Sequence, residues 1–246
     1  MSNAIERTAS AYSREHADVY DVVHAARGRD WAVEADNVVR LVQERLPGAR
    51  SLLDVACGTG AHLERIRFLF PHVAGLELSD AMREIATRRL PGVPIHPGDM
   101  RDFHLDEQFD AVTCMCFSIA YMQTPEDLGR AAASMARHLV PGGVAVVEPW
   151  WFSEQFLDGY VTGSVAERNG SVISRLSHSV RDGRATRMTV RYTVAESTGI
   201  RDFTEQEILS LFTEDEYLAA FEQAGIRAEH LPGGPNGRGL FLGVRD

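Results

Sequence analysis

The sequence predicts an α/β fold built around a mostly parallel sheet, with an antiparallel β insert in the second half of the chain. Short apolar runs alternate with helical patterns over residues 33–148. Such alternation is typical of a parallel sheet covered by helices on both faces. Residues 152–212 then carry short alternating runs separated by turn signals, as antiparallel strands do.

The elements of the first half follow from periodicity and end signals. Apolar residues at helical spacing over 33–46 predict an amphipathic helix that ends at Pro47 and Gly48. The apolar run 51–56 predicts a buried strand, followed by a glycine turn and a helix that reaches Phe70. The same criteria predict further strands over 73–78, 93–96, 109–115 and 144–148, and helices over 79–90 and 125–139.

Turn and cap residues predict the remaining elements. The dipeptides Asn-Gly at 169–170 and Asp-Gly at 182–183 are typical of hairpin turns. Thr213, with Glu216 three residues later, predicts a capping box at a helix start. The predicted strands are 172–176 and 187–192 in the insert, and 226–231 and 240–244 after a helix over 213–224.

The composition excludes several classes of function. The chain of 246 residues contains no lysine, so all 25 Lys and Arg residues are arginine. Schiff-base enzymes need a lysine amine and P-loop nucleotidases need the lysine of their phosphate loop, so both are excluded. The net charge of −10 argues against non-specific binding to nucleic acid, which rests on clustered positive charge.

The hydropathy and the cysteines indicate a cytoplasmic protein. No apolar run approaches the roughly 20 residues of a membrane span, and the N-terminal residues lack an apolar signal-peptide centre. We therefore expect no membrane association. Cys57, Cys114 and Cys116 lie in apolar segments and form no C-x-x-C pair, so we expect reduced thiols, no disulfide and no metal site.

A glycine-rich turn after the first strand indicates a ligand site. Asp54 and Gly58 lie in it, but Leu63 replaces the third glycine of the dinucleotide pattern G-x-G-x-x-G. Asp54 would oppose a phosphate and suit a cation, which favours a ligand with an amino acid moiety and a sulfonium over NAD. Glu77 lies about 20 residues further on, where a carboxylate can accept from ribose hydroxyls of NAD or S-adenosylmethionine alike.

The residues after the third strand suit an adenine ring. Asp99 can accept from the adenine amino group, and Met100 offers a soft apolar face to the ring. Either residue alone would be ordinary loop or core filling. In this order, after the glycine turn and Glu77, the set predicts a nucleoside-containing ligand.

Residues 52–60, Glu77, Asp99, Met100 and the turn 141–143 before a strand together resemble class I S-adenosylmethionine-dependent methyltransferases. The resemblance extends over nearly the whole chain to the N,N-dimethyltransferases of dTDP-3-amino-3,6-dideoxysugars in desosamine and mycaminose biosynthesis, which belong to macrolide pathways. The segments that extend it are 98–103, 147–152, 177–179 and 233–241, in which Trp150-Trp151 and Asn236-Gly237-Arg238 are the most specific.

This resemblance implies a Rossmann-like class I methyltransferase fold, with a mostly parallel seven-stranded sheet and an antiparallel β insert after the fifth strand. It implies an N-terminal helical cap over the active site at residues 1–50 and a cofactor-binding core at 51–151 and 213–246. The insert, 152–212, would then contact the substrate or pair two copies of the chain in a homodimer.

The resemblance also implies the site residues. It assigns the S-adenosylmethionine pocket to Tyr20, Ala56, Glu77, Asp99, Met100 and Met115. It assigns the nucleotide sugar to Tyr12, Trp31, Trp150, Arg175 and Arg238. The chain departs from the family at Trp31, where relatives have tyrosine, at Tyr121, where one branch has histidine, and at Cys116-Phe117, where Phe-Ser is expected.

The expected reaction is methyl transfer to the amino group of a dTDP-amino sugar, which mostly needs alignment of the reactants. We expect Tyr121 or Tyr12 to orient the amine or relay its proton, and Glu148 to help hold the site. Seven arginines and three acids lie between residues 166 and 201. This patch can hold a diphosphate, or its arginines can simply face water from alternate strand positions.

Two other classes stay open at this point. A class I methyltransferase could transfer to oxygen or carbon of another small molecule. A NAD-dependent oxidoreductase or a non-catalytic cofactor-binding module would also use the glycine turn.

Overall fold

The structure, a computed structural model, describes residues 12–234 and 237–246. The beginning of the predicted N-terminal cap, residues 1–11, and Asn236 of the motif at 236–238 lie outside these described residues. The predicted division of the chain into a cap, a core and an insert stays a prediction.

A seven-stranded sheet forms the centre of the fold, in the order β10-β11-β5-β4-β1-β2-β3. The strands β1 to β5 run parallel, while β11 is antiparallel to both β5 and β10. This confirms the predicted fold class. The strands are β1 Ser51–Val55, β2 His72–Glu77, β3 Ile95–Pro97, β4 Phe109–Cys114, β5 Leu139–Val147, β10 Ile226–Leu231 and β11 Leu240–Arg245.

Six α-helices and a short 3-10 helix accompany the strands in the described residues. The predicted capping box is present, since Thr213 and Glu216 form it at the start of the last helix, and Ser79 and Thr124 also accept from backbone N–H groups at helix starts. The helices are α1 Arg14–Ala26, α2 Trp31–Arg45, α3 Ala61–Ile66, α4 Asp80–Arg89, α5 Pro125–Arg137 and α6 Glu214–Gln223, and the 3-10 helix is Ser118–Tyr121.

One strand and two helices of this part differ clearly from their predictions. Strand β5 begins at Leu139 and not at residue 144, because Leu139 already pairs with Phe109 ahead of a shift in register. Helix α3 ends at Ile66, not at Phe70, because tighter turn hydrogen bonds follow it and because Pro71 disfavours helical backbone at the residue before it. Helix α1 lies in the helical cap expected over residues 1–50, but its bounds were not predicted. Its buried side includes His16 and His24 beside alanine and valine, so polar residues conceal the apolar stripe that would have indicated a helix.

The insert is a separate four-stranded antiparallel sheet in the order β6-β7-β8-β9. The predicted turns at 169–170 and 182–183 connect its strands, and helix α1 contacts β6 and β7. The predicted strands were too short because polar residues occupy buried positions and interrupt the apolar alternation. The strands are β6 Tyr160–Arg168, β7 Ser171–Asp182, β8 Ala185–Glu196 and β9 Gly199–Ser210.

The described part of the chain contains no helix that is both long and apolar enough to cross a bilayer. The three cysteines are free thiols, and no group of potential metal ligands was found among the described residues.

Candidate active site

The first cavity lies where strands β1, β2, β3 and β4 end, at the edge of the sheet where ligands bind in such folds. Its volume is about 920 Å³, counting space open to solvent. All eight residues predicted to contact the cofactor line it, although their contact with a bound cofactor stays a prediction. They are Tyr20, Asp54, Ala56, Gly58, Glu77, Asp99, Met100 and Met115.

The glycine turn shapes the floor of this cavity. Ala56, Gly58 and Gly60 all have left-handed backbone, with φ of 56°, 58° and 76°. A Cβ on Gly60 would lie 2.7 Å from Leu90 Cδ1, whereas a Cβ on Gly58 would meet no protein atom within 4 Å. The turn therefore needs glycine for packing on one side and leaves space for a ligand on the other.

Two carboxylates hold the turn in place. Buried Asp54 accepts from Thr113 Oγ1 at 2.7 Å. Glu77 accepts from the N–H of Gly58 at 2.8 Å and from the N–H of Ser79 at 2.7 Å. Burial raises the pKa of both carboxyl groups. Glu77 thus joins the turn to the start of α4, and its oxygens have further lone pairs that a ribose hydroxyl can use.

Glu77→Gln is expected to weaken binding of S-adenosylhomocysteine about tenfold. A glutamine oxygen can accept only one of the two N–H groups while its NH₂ faces the other, and an unsatisfied buried donor costs about 1–3 kcal/mol. Titration calorimetry measures the change. Glu107→Gln, at an exposed carboxylate that contacts His72, serves as the control. Equal affinities of the two variants would contradict the role of Glu77.

Arg101 holds the carboxylate that was predicted to meet adenine. Its Nε donates to both oxygens of Asp99, at 3.0 and 3.1 Å, and its backbone N–H donates at 2.9 Å. Partial burial alone would raise the pKa of Asp99, but the hydrogen bonds and the charge of Arg101 outweigh it and lower that pKa. The group is an ionised acceptor that faces the cavity. Sequence reasoning missed Arg101.

Aromatic side chains surround one side of the first cavity. Tyr20 stacks on Trp31 with ring centroids 6.3 Å apart, and Tyr12 meets Tyr121 edge to face at 5.8 Å. Tyr12 and Trp31 were predicted to face the nucleotide sugar. The structure instead places both on the first cavity, beside the predicted cofactor residues. Tyr121, predicted to handle the amine, lies there as well.

A second cavity of about 1190 Å³, also counting space open to solvent, lies between the end of α1, Phe117, residues 150–157 and the insert. The guanidinium of Arg238 lies among the rings of Phe117, Trp150 and Trp151, at 5.1 to 5.4 Å from their centroids. The predicted substrate residues Trp150, Arg175 and Arg238 all line this cavity. Also in its lining are His24, Arg27, Arg29, Phe117 and Trp151.

Glu148 joins two of these arginines. Both of its oxygens accept from Arg29 Nη2 at 2.8 Å, and Oε1 accepts from Arg238 Nη2 at 2.7 Å. Oε2 also accepts from the N–H of Cys116 at 2.8 Å. Burial would raise the pKa of Glu148, but the two guanidinium groups lower it overall. The carboxylate, predicted to help hold the site, is an ionised centre beneath the second cavity.

Arg175 and Arg27 have no such carboxylate. Arg175 is 3% exposed and donates to Ser177 Oγ at 2.9 Å. Arg27 follows the last residue of α1 and is exposed. Within residues 12–234 and 237–246, no acidic group lies within ion-pairing distance of either guanidinium. These two cations line the second cavity without an ion pair, although the charge of buried Glu207 acts on both from a greater distance. They therefore suit an anionic ligand.

Most arginines of the patch in the insert follow the second of its two interpretations and face water. Only Arg175 among its seven arginines is buried and faces the cavity. Arg187 and Arg191 occupy the opposite phase of β8, and Arg184 lies in the turn between β7 and β8. Arg168, Arg181 and Arg201 share the inner phase but lie near the ends of their strands, where the sheet is no longer fully covered. All six are exposed or partly exposed.

Sequence reasoning also missed Arg27, Arg29 and Glu207. Arg27 and Arg29 flank Gly28 between α1 and α2. Two arginines shortly before a predicted helix could have indicated these site residues. Glu207 lies on the inner face of β9, where its hydrogen bond from Tyr121 O–H measures 3.3 Å. Glutamates at 205 and 207 take alternate positions that apolar residues occupy elsewhere along this strand. This pattern could have indicated buried carboxylates.

Comparisons with known proteins agree with this arrangement. Residues 52–143 match the family described as a methyltransferase domain. The chain is 69% identical over its full length, and over 99% of the relative, to the dTDP-4-amino-2,3,4,6-tetradeoxy-D-glucose N,N-dimethyltransferase of Saccharopolyspora spinosa. It is 54% identical to the dTDP-3-amino-3,4,6-trideoxy-alpha-D-glucopyranose N,N-dimethyltransferase of Streptomyces venezuelae, over 95% of this chain and 99% of that protein.

A solved structure supports the same assignment. The S-adenosylmethionine-bound amino pentose methyltransferase CalS10 of Micromonospora echinaspora, from calicheamicin biosynthesis, superposes with a TM-score of 0.87 at 47% identity, over 93% of this chain and 97% of that chain. Fold, glycine turn, carboxylates and full-length similarity all lead to one conclusion. The chain belongs to the N,N-dimethyltransferases of dTDP-amino sugars, which are class I S-adenosylmethionine-dependent methyltransferases.

Proposed function

We propose that this protein transfers two methyl groups from S-adenosylmethionine to the amino group of a dTDP-4-amino-2,3,4,6-tetradeoxyhexose. The observation that carries the proposal is the 69% identity over the full length to an enzyme named for that substrate. Identity to the enzyme named for a 3-amino sugar is lower, at 54%. The 4-position of the amine is therefore favoured over the 3-position named in the sequence resemblance.

The two cavities support this proposal by their complementary chemistry. The first would hold S-adenosylmethionine, which supplies a methyl group on a sulfonium. The rings of Tyr12 and Tyr20 can stabilise a cation at that place by about 0.5–2 kcal/mol. Holding an amine in line with its reaction partner can contribute about 7–11 kcal/mol, so the chain mainly has to position the two ligands.

The second cavity suits the nucleotide end of the substrate. A dTDP group carries a diphosphate and a flat base. Arg27 and Arg175 offer two cations that form no ion pair within the described residues, and guanidinium geometry matches phosphate oxygens. Trp150 and Trp151 offer ring faces, and stacking a base on such a ring is worth about 1–3 kcal/mol. A nucleotide bound there would place its sugar toward the tyrosines of the first cavity.

One assay tests the function. The protein is incubated with S-adenosylmethionine and a panel of dTDP-3-amino and dTDP-4-amino sugars, and mass spectrometry detects products heavier by one and by two methyl groups. We expect dimethylated product, with the 4-amino sugar converted fastest. Preference for a 3-amino sugar would overturn the regiochemistry. Tight binding of NADH without binding of S-adenosylhomocysteine in calorimetry would overturn the methyltransferase itself.

We also propose that two copies of the chain associate through the outer face of the insert. Five aliphatic residues are exposed there in one phase of the strands: Val161, Val165, Val172, Leu176 and Ile200. Leu176→Glu is expected to halve the mass measured by light scattering. Val33→Glu, at an exposed valine of α2, is the control. A wild-type protein with the mass of one chain would contradict the homodimer.

The cytoplasmic location and a macrolide as the final product stay predictions.

A further inference from the structure

The insert presents one buried carboxylate toward the tyrosines of the first cavity. Glu207 is 6% exposed and lies on the inner face of β9. The hydroxyl of Tyr121 donates to its Oε2 at 3.3 Å. Tyr121 lines the first cavity, whereas Glu207 is not part of the lining. The hydrogen bond from Tyr121 thus connects this carboxylate to the lining of the cavity, and its charge also acts through space on Tyr12 and Tyr20.

No arginine forms an ion pair with Glu207 in the described ranges, with their gap at 235–236. Burial raises the pKa of its carboxyl group, although Arg175 and the hydrogen bond from Tyr121 act in the opposite direction. The titratable and charged groups that face it from the surrounding elements are Tyr12, Tyr20, Arg27, Tyr121, Arg175, Tyr192 and Glu205.

Glu205 provides an internal comparison. It is the same residue type on the same face of β9, two positions earlier, and it is also buried at 7% exposure. It accepts from the hydroxyl of Ser13, not from a tyrosine of the cavity. A purely structural need for buried carboxylates on this face would apply to both residues. Only Glu207 is connected to the reaction site.

We propose that Glu207 is a positioning residue that orients the hydroxyl of Tyr121 and takes up, through it, the proton of the substrate amine. This inference rests on the proposed function. The substrate amine is a cation when protonated, and only its neutral form has a free electron pair for methyl transfer. A carboxylate connected to the cavity through one hydroxyl can remove that proton without opening the site to water.

The proton transfer balances without any additional reactant. An N–H bond of the substrate ammonium breaks and its proton goes to the oxygen of Tyr121. The O–H bond of Tyr121 breaks at the same time, and that proton forms a new O–H bond on Glu207. The products are a neutral amine, an intact phenol and a neutral carboxylic acid. Transfer of the first methyl group to the neutral amine breaks the methyl–sulfur bond and gives a methylammonium. Before the second methylation Glu207 returns its proton to water, and the methylammonium loses its proton by the same route.

Glu207→Gln tests this proposal, because glutamine keeps the size and an acceptor oxygen but cannot take up the proton. We expect kcat/KM at neutral pH to fall about 10- to 100-fold, which is the lower range for general acid–base effects. The deficit should shrink as pH rises above the pKa of the sugar amine, since the substrate then arrives neutral. Glu205→Gln is the matched control and should stay within threefold of the wild type.

A double-substitution cycle separates this role from a structural one. If Glu207 acts through Tyr121, the variant with both Tyr121→Phe and Glu207→Gln should lose little more activity than Tyr121→Phe alone. Binding of S-adenosylhomocysteine and the melting temperature should be unchanged in Glu207→Gln. A deficit that is equal at every pH, or losses that simply add in the double variant, would overturn the proposal.

The outcomes also distinguish this inference from the function on which it rests. If the wild-type protein methylates no dTDP-amino sugar, the proposed function fails. If the wild type is active and Glu207→Gln behaves like Glu205→Gln, only the role of Glu207 fails.

Discussion

Replacing Glu148 by glutamine is expected to lower the free energy of unfolding by about 3–5 kcal/mol, the cost of leaving a buried partner charge uncompensated. The carboxylate is 2% exposed and bonds both Arg29 and Arg238. Glutamine has nearly the same shape, so the loss would come from charge and not from packing. The activity should also fall, because both guanidinium groups line the second cavity.

Urea denaturation at neutral pH measures this effect. Glu44→Gln is the control, since Glu44 forms an exposed pair with Arg40, and such pairs contribute about 0.3–0.5 kcal/mol. The pKa of Glu148 in the folded protein lies below its ordinary value of 4.5. Its stabilisation is therefore complete above that value and is lost as pH falls through the lowered pKa. A loss below about 1 kcal/mol would contradict the role of Glu148.

Arg175→Gln is expected to raise KM for the dTDP-amino sugar about 10- to 100-fold, because a buried hydrogen bond to a charged group contributes about 1.5–3 kcal/mol. Binding of S-adenosylhomocysteine should be unchanged, since Arg175 lines the second cavity and not the first. Steady-state kinetics and calorimetry measure the two quantities.

The control for Arg175 is Arg191→Gln. Arg191 lies opposite Leu176 on the neighbouring strand β8 and is exposed, so its removal should leave both quantities unchanged. A KM that rises equally in the two variants would show that general charge, and not a specific contact, is responsible.

Arg238→Ala is expected to do more than raise KM for the dTDP-amino sugar. Arg238 is a partner of Glu148 and lies among the rings of Phe117, Trp150 and Trp151. Its removal would leave that packing incomplete. The substitution should therefore lower stability as well as substrate affinity, whereas Arg175, which forms no ion pair in the described chain, separates the two effects.

The fold and the first cavity could be predicted from the sequence because their signals are local. Asp54, Gly58, Glu77 and Asp99 each come at or directly after the end of a strand, and the ends of parallel strands meet at one edge of the sheet. Caps such as Thr213 with Glu216 involve residues three apart. Interactions of this kind depend on few neighbours, so the pattern of residues determines them.

The second cavity and its charges were decided only by tertiary structure. Glu148 joins arginines that are 119 and 90 positions away in sequence, and Glu207 meets Tyr121 across 86 positions. Among the seven arginines of the insert, strand phase and sheet packing bury Arg175 and expose or partly expose the rest. The absent lysine narrowed the possible chemistry. Which arginines remained available for an anion depended on the carboxylates that folding brought beside them.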